Sequence, residues 1–300
     1  MRIGPIWIGI SAGLGAGALW GLTFIVPLLV PQFGAVTITA ARYLVYGLLS
    51  LLLLSRRPLR DLLRGHWRAL LGLAVLGNLG YSVLMVLAVQ RTGAALTALI
   101  IGCLPIVVPL SVAWRDAALL RRLSLPLALI LAGLLLQQTP QLDGRLDWLG
   151  IGAALGALAV WNIYALLNAR HLARHPDLDA ADWSSLIGLG CLLGLPLLLP
   201  LFPLFDGSLP DVSAAAWWLL GGTALLTGLG SAWAATWAWN VASRRLPVAL
   251  AGQLIVSETL FALLYAFLHE GRGPDGRELL AMLLVIGGVS LGVRVLHPKQ

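Results

Sequence analysis

The chain consists largely of uninterrupted apolar runs, each about 20 residues long, separated by short polar segments. A run of this length spans the hydrocarbon core of a bilayer as a helix. Because lipid offers the backbone no hydrogen-bond partners, only helices and closed barrels cross it, and continuous runs of Leu, Ala, Val and Ile fit helices rather than alternating barrel strands. The sequence therefore predicts an all-α membrane protein.

Composition supports this prediction. Hydrophobic residues make up 59% of the chain and charged residues 11%, which is too little polar surface to cover a soluble globule. The formal net charge of +7 raises the question of a nucleic-acid partner. However, the basic residues lie almost entirely in short loops between apolar runs, so we expect a lipid bilayer and no nucleic acid as the partner.

Ten transmembrane spans are predicted. The first begins after a basic N-terminus and is too long for a signal peptide, with no convincing cleavage pattern. The ten spans cover residues 6–28, 35–54, 69–90, 93–114, 123–138, 147–168, 183–203, 214–240, 246–268 and 277–296.

The basic residues predict the orientation of these spans. Fifteen of the 20 Lys and Arg residues fall in segments on one side and four on the other, while Arg42 lies inside the second span. Basic residues near span ends resist translocation, so the richer side is predicted to be cytoplasmic. Both termini are then cytoplasmic, in a multi-pass protein of the plasma (inner) membrane.

The two halves of the chain resemble each other. Trp20 aligns with Trp161, and Pro105 and Asp116 align with Thr259 and Glu270. Five spans per half invert the second copy relative to the first, so we expect one repeat over residues 1–140 and an inverted one over 141–300. Inverted repeats are typical of carriers that work by alternating access, with the substrate near the midplane.

Several motifs together resemble the drug/metabolite transporter superfamily, in its ten-span branch with two EamA-type repeats. The resemblance covers essentially the whole chain. It is carried by Trp20 with Gly21, by Arg42 in TAARYLVYGLLSLLLL, by Pro105 and Asp116 in LPIVVPLSVAWRD, and by ETLFALLYAFLHE from Glu258 to Glu270. The sequence departs from the pattern at Asp116, where Glu is usual, and at Thr259, where Pro is usual.

Glu258 and Arg42 are the two formal charges placed well inside predicted spans. A charge near the bilayer midplane is costly unless it is paired or faces water. For Glu258 three roles stay open: a structural or orienting role, contact with a substrate amino group, and proton coupling. Arg42 is expected to snorkel to the outer interface, although pairing with Glu258 is an alternative. Arg42 and Pro105 are predicted to be structural or orienting residues.

Polar and aromatic residues follow one face of several predicted helices. Such faces suit an amphipathic ligand, although Asn, Gln and Ser can equally tie helices together. The predicted substrate-binding residues are Trp20, Thr23, Phe24, Asn78, Tyr81, Ser82, Trp161, Asn162, Tyr164, Trp233, Trp237, Gln253, Ser257 and Glu258.

Other residues suited to specific chemistry have simpler interpretations. Cys103 and Cys191 lie in apolar runs and are predicted to pack in the core, so no disulfide framework, metal site or cofactor is expected. The five histidines are predicted to be solvated. An interfacial aromatic belt is predicted for Trp7, Trp67, Trp114, Trp148, Trp183, Trp217, Trp218 and Trp239.

The sequence contains no ATP-binding loop and no metalloprotease or nucleophile-elbow motif, so no enzyme is expected. The resemblance implies a secondary transporter of small metabolites, and within that family an exporter of aromatic or apolar amino acids is favoured. Proton-coupled efflux of drugs or other metabolites is an alternative. A membrane-embedded enzyme or scaffold is a second one. The oligomeric state is not predicted.

Overall fold

The computed structural model describes residues 4–57, 63–64, 66–112, 115–137, 147–175, 178–246, 254 and 256–296. The described residues form helices joined by short turns, and no strand occurs among them. The helices are α1 (Gly4–Leu29), α2 (Ala35–Leu54), α3 (Trp67–Ala74), α4 (Tyr81–Thr92), α5 (Ala94–Ile101), α6 (Leu104–Val112), α7 (Ala117–Gln137), α8 (Trp148–Arg174), α9 (Ala180–Gly194), α10 (Phe202–Phe205), α11 (Ala214–Leu225), α12 (Ala235–Arg245), α13 (Val256–Glu270) and α14 (Gly276–Leu296).

Seven helical stretches within this part of the chain are long and apolar enough to cross a membrane. They are Ile6–Leu29, Ala35–Leu54, Trp67–Thr92, Ala117–Leu136, Trp148–Arg174, Ala181–Phe205 and Gly276–Val295. The protein is thus a helical membrane protein, as predicted, whereas ten spans stay a prediction.

One predicted span is divided within the residues that the structure describes. Residues 93–114 divide into α5 and α6 at a turn formed by Gly102 and Cys103. Pro105 contributes to the break, because proline lacks an amide proton and so leaves the carbonyl one turn earlier without its helical hydrogen bond. In 246–268 the structure describes Leu246, residue 254 and the helix from Val256 onward.

Three other stretches depart from α-helical geometry, although the chain stays helical through each of them. π-Helical turns cover Val75–Gly80, between α3 and α4, and Leu226–Ala234, between α11 and α12. A 3₁₀ segment, Leu195–Leu201, follows α9, where two prolines remove backbone donors. π-Turns often mark functional sites, and these two contain the predicted site residues Asn78 and Trp233.

Helix α1 packs closely against α13 because glycines face the contact. A Cβ at Gly21 would lie 2.9 Å from the Ala262 amide nitrogen, and one at Gly17 would meet the Ser257 hydroxyl. The α1–α13 contact carries the residues around Glu258. Helix α1 also packs on α12, α2 packs on α9, α4 packs on α8, and α7 packs on α14.

The two ends of the bundle are polar. We call the end that contains Arg57, His66, Asp182 and Arg245 the basic end; there Arg57 pairs with Asp182 at 3.2 Å. At the other end Arg91 pairs with Asp147 at 2.9 Å. The hydrogen bond from Arg91 lowers the pKa of the Asp147 carboxyl, which also caps the start of α8.

Between the two ends, large apolar side chains cover much of the outer surface. They include Leu52, Leu131, Leu135, Leu155, Leu268 and Leu283, all well exposed. A soluble protein seldom exposes so much contiguous apolar surface. This surface therefore fits contact with lipid acyl chains.

Candidate functional site

Glu258 lies in the first turn of α13, inside the bundle and partly buried. It lines a narrow cavity of about 10 Å³ together with Phe24, Pro105 and Thr259. The turn between α5 and α6 forms one wall, since Gly102 packs directly against Thr259. The cavity is large enough for about one water molecule and too small for a metabolite.

Arg42 turns toward the protein interior. Its guanidinium lies 5.2 Å from the ring of Tyr43, and its Nε atom is buried without a hydrogen-bond partner in the described part of the chain. Its charge interacts electrostatically with Glu258, Tyr81 and Cys191. The prediction that Arg42 snorkels to the outer interface is therefore wrong, because the buried atom belongs to the guanidinium itself.

Arg42 and Glu258 approach each other electrostatically without pairing. The ion pairs found within the described residues involve other side chains at the two ends of the bundle. Both charges also act electrostatically on Tyr81. The interior thus contains a carboxyl group and a guanidinium that interact electrostatically, and no ion pair joins them in the described part of the chain.

An aromatic cluster adjoins these charges. The rings of Tyr81 and Trp161 lie 4.8 Å apart, and those of Trp161 and Tyr164 lie 5.0 Å apart. Tyr164 packs against Gly77 in the first π-turn, next to Asn78. The Asn78 Nδ2 atom is buried next to the Tyr164 hydroxyl, although no contact among the described residues has the geometry of a full hydrogen bond. The structure thus brings together four predicted site residues from α8 and the π-turn with α4.

A larger cleft opens near the basic end. Its volume is about 190 Å³, and the predicted residues Trp233 and Trp237 form part of its wall. Trp237 is 57% exposed, so its indole is free to contact a solute. The other lining residues are Asp179, Ala181, Ser184, Asn240, Val241 and Arg245.

Four predicted site residues have other contacts. The Thr23 hydroxyl donates to the Trp20 carbonyl oxygen at 2.7 Å, and the Ser82 and Thr39 hydroxyls lie 3.1 Å apart. The Asn162 Oδ1 atom accepts from the Ser111 hydroxyl at 3.2 Å. The Trp20 ring packs 5.7 Å from that of Trp239. The Ser82 and Asn162 contacts join different helices and fit the alternative in which polar side chains hold helices together, whereas the Thr23 bond stays within α1.

The remaining predicted residues are Ser257 and Gln253. The Ser257 hydroxyl is buried against α1 and has no partner among the described residues. Gln253 lies outside the described residues. An unsatisfied buried polar atom costs about 1 to 3 kcal/mol, so Arg42 Nε, Asn78 Nδ2 and Ser257 Oγ are costly where they stand.

The structure also corrects two smaller predictions. Trp183 is 4% exposed, so it does not belong to an aromatic belt. His66, His171 and His175 form a partly buried cluster rather than separate solvated side chains. Sequence reasoning missed Asp179, Ser184 and Arg245 as cleft residues, because polar residues at span ends are ordinary membrane anchors.

These features are those of a polytopic helical protein with charged and aromatic groups in its interior. The profile of the EamA-like transporter family matches residues 7–139 and again residues 148–294. The chain belongs to the EamA-like transporter family. The drug/metabolite transporter resemblance of the sequence is thereby confirmed.

One curated relative and one solved structure are similar to this chain over nearly its whole length. The chain is 37% identical to the "Inner membrane protein YtfF" of Escherichia coli (strain K12), over 97% of this chain and 96% of that protein. One solved crystal structure shares the fold with a TM-score of 0.63 and 20% identity, covering 97% of this chain and 98% of that chain. At that identity the second likeness concerns the fold alone.

Proposed function

We propose that this EamA-like protein is a secondary transporter that exports amino acids, aromatic or apolar ones in particular, across the inner membrane by alternating access. Family membership supports transport of a small metabolite. The name of the E. coli relative supports the inner membrane as the location. The further steps, to substrate and mechanism, depend on the residues inside the bundle.

The packing supports two inverted halves, residues 1–140 and 141–300. Helix α1 of the first half packs on α12 and α13 of the second half. Its proposed counterpart in the second half, α8, packs on α4 and α5 of the first half. The π-turns Val75–Gly80 and Leu226–Ala234 occupy corresponding spans of the two halves. The double match of the family profile favours the same division.

One observation carries the substrate assignment: the Glu258 carboxyl and the Arg42 guanidinium act electrostatically on each other and on Tyr81, form no ion pair with each other among the described residues, and adjoin an aromatic cluster. An amino acid presents the complementary set, an ammonium group for Glu258, a carboxylate for Arg42 and a side chain for Tyr81 and Trp161. The unsatisfied Arg42 Nε donor would gain a charged acceptor, which removes the cost of leaving it buried and unpaired.

The cleft at the basic end is the entrance in this proposal. Its volume of about 190 Å³ admits a small metabolite, whereas the cavity at Glu258 measures about 10 Å³. The substrate therefore reaches Glu258 only after helices separate. Trp233 and Trp237 offer aromatic faces on the way. With the basic end cytoplasmic, the entrance faces the cytoplasm, as export requires.

Uptake by purified protein in liposomes tests the proposal. A panel of radiolabelled amino acids is compared with a panel of uncharged and cationic metabolites. We expect saturable transport of apolar and aromatic amino acids by the unmodified chain. Glu258→Gln and Arg42→Gln should each lower it about tenfold or more, since each removes a charge-assisted hydrogen bond worth about 1.5 to 3 kcal/mol.

Glu270→Gln is the matched control, because Glu270 is an exposed acid at the far end of the same helix. Transport by the Glu270→Gln variant should stay unchanged. Full amino-acid transport by a folded Glu258→Gln variant would refute the role given to Glu258.

A pH gradient imposed on the same liposomes separates amino-acid export from proton-coupled efflux. The second function is favoured by one observation: the Glu258 carboxylate has no ion-pair partner within the described residues and could carry a proton. Accumulation of cationic compounds driven by the gradient would support that function. Absence of transport across both panels would favour a membrane enzyme or scaffold.

A further inference from the structure

Three histidines meet near the basic end of the bundle, away from Glu258. His66 directly precedes α3, His171 lies in the last turn of α8, and His175 caps the end of α8. The ring centroids of His66 and His171 lie 5.2 Å apart, and His175 lies 4.6 Å from each. One nitrogen from each ring falls within 4.8 Å of the others.

The local structure explains why the rings converge. His171 and His175 are four residues apart, so they project from the same side of α8. Pairs of histidines with three to five intervening residues recur in zinc sites, and three residues separate His171 from His175. The third ring comes from another part of the chain, and the His66 carbonyl oxygen accepts the Leu70 amide at 2.8 Å, which fixes it at the start of α3.

The nitrogens of this cluster lack ordinary partners. His66 Nδ1 and His171 Nε2 are both buried, and neither has a hydrogen-bond partner among the described residues. The three rings are in contact, but these two nitrogens form no hydrogen bond with a neighbouring ring. Buried polar nitrogens are normally paired, and each orphan requires an explanation. A metal ion bound between the rings supplies one, because it would accept a lone pair from each unpaired nitrogen.

A buried tryptophan supports the cluster from behind. Trp183 stacks on His171 with ring centroids 4.6 Å apart and an interplanar angle of 22°. Its Nε1–H donates to Asn168 Oδ1 at 2.8 Å, so the indole is held in one orientation. The stacked indole, held in turn by Asn168, restricts how the His171 ring can turn within the cluster.

We propose that His66, His171 and His175 bind one Zn²⁺ ion, with a water molecule as the fourth ligand. Imidazole nitrogens are preferred zinc ligands, and bonds of about 2.1 Å in a tetrahedral site place ligand nitrogens about 3.4 Å apart. Small rotations of rings already within 4.8 Å achieve this spacing. The nearby Arg174 opposes a cation by its charge. Arg174 is exposed, so solvent and salt screen its repulsion of the ion. Coordination by three nitrogens outweighs the repulsion that remains.

The ion would connect parts of the chain that are distant in sequence. It would tie the residue before α3 to the end of α8, and through Trp183 to the start of α9. The same turn of α9 and the segment before it contribute Asp179 and Ser184 to the cleft. The site is therefore a brace for one wall of the cleft. It does not depend on which substrate the protein carries.

Zinc titration of the full chain tests this proposal. The protein is purified with a tag that contains no histidine, stripped with EDTA and dialysed, and Zn²⁺ binding is measured by calorimetry. We expect one Zn²⁺ per chain. With Co²⁺ as a substitute probe, we expect the visible absorption bands of a tetrahedral site. His171→Gln and His175→Gln should each weaken Zn²⁺ binding about tenfold or more.

His269→Gln is the matched control, since His269 is exposed at the opposite end of the bundle. It should leave zinc affinity unchanged. Each variant is first checked for a monodisperse elution profile and for its melting temperature in EDTA. If His171→Gln does not fold, His175→Gln, at the C-terminal end of α8, still decides the question. No saturable binding, or binding that survives both substitutions, would overturn the proposal.

Discussion

At the scale of single residues, Asp206 shows how one side chain can join distant parts of a membrane protein. Its carboxylate accepts hydrogen bonds from the Val36 and Thr37 amides at 2.9 and 2.8 Å, and from the Thr37 hydroxyl at 2.6 Å. Gly34 leaves room for the approach, because a Cβ there would meet this carboxylate. Asp206 thus caps α2, whose own N-cap residue, Gly34, has no side chain to do so.

We expect Asp206→Ala to destabilise the protein by about 1 to 2 kcal/mol, the usual cost of losing an N-cap. The Val36 and Thr37 amides in the first turn of α2 would lose their acceptor, and the contact that joins α2 to the segment around residue 206 would be lost. Thermal unfolding in detergent, followed by circular dichroism, measures the effect. Asp211→Ala is the control, since Asp211 is an exposed acid in the same loop. Equal melting temperatures for both variants would contradict the capping role.

Interior charges are the second residue-scale feature. Glu258 was singled out by the sequence because a carboxylate inside an apolar run is costly. Its surroundings were not evident from the sequence, since Arg42, Tyr81 and Pro105 come from other helices. The structure adds that Arg42 turns inward with an unpaired Nε atom, which makes the two charges candidates for a common ligand.

At the scale of helices, irregular geometry recurs where the candidate site lies. Residues 93–114 are predicted as one span, in which Pro105 is expected to be a structural or orienting residue; the structure instead has a turn at Gly102 and Cys103, just before this proline, and packs it against Thr259 of α13. The π-turns had no comparable signal, since no proline marks either one. Their backbone geometry arises from packing with neighbouring helices, which a single sequence does not reveal.

The close approach of α1 to α13 yields an element-scale prediction. Gly21→Ala should lower the melting temperature, because the new Cβ would lie 2.9 Å from the Ala262 amide nitrogen and 3.0 Å from the Phe261 Cβ, forcing α1 away from α13. Transport should fall as well, since Glu258 lies in the same contact. Melting curves and liposome uptake measure the two effects.

Gly15→Ala is the control for this prediction. Gly15 lies on the same helix with open space around its Cα, so the new methyl group meets nothing. Alanine favours helix over glycine by up to about 1 kcal/mol, so the melting temperature should stay the same or rise. An unchanged melting temperature for Gly21→Ala would show that glycine at position 21 is not needed for packing.

At the scale of the whole molecule, the distribution of basic residues predicts how the protein is oriented in the membrane. Both termini are predicted to be cytoplasmic from the distribution of Lys and Arg. Two exposed serines allow a direct test, because Ser55 follows α2 near the basic end and Ser208 lies beside Asp206 at the other end. Each can be replaced by cysteine.

In intact spheroplasts, a membrane-impermeant maleimide should label Ser208→Cys and leave Ser55→Cys unlabelled. After lysis both should react. The unmodified chain is the control, since Cys103 and Cys191 are buried and should not react in either condition. Labelling of Ser55→Cys alone in spheroplasts would invert the proposed topology, and with it the side on which the cleft opens.

Much of the architecture could be predicted from the sequence because lipid imposes simple rules. Apolar length predicts helices, and the structure is helical throughout its described part with seven helices long enough to span. The charge pattern and the motifs led to the family, which the family match confirms. These signals are local or additive along the chain, so no knowledge of contacts is needed to detect them.

The sequence by itself determined the fold class, the family and Glu258 as an anomalous interior charge. Only the tertiary structure decided which polar groups lie together. It separated Thr23 and Ser82, whose hydroxyls bond within the protein, from Asn78 and Ser257, which keep unsatisfied atoms. It also brought His66 to His171 and His175. Hydrogen bonds and ring contacts depend on a few ångströms between distant segments, and no periodicity along one chain encodes those distances.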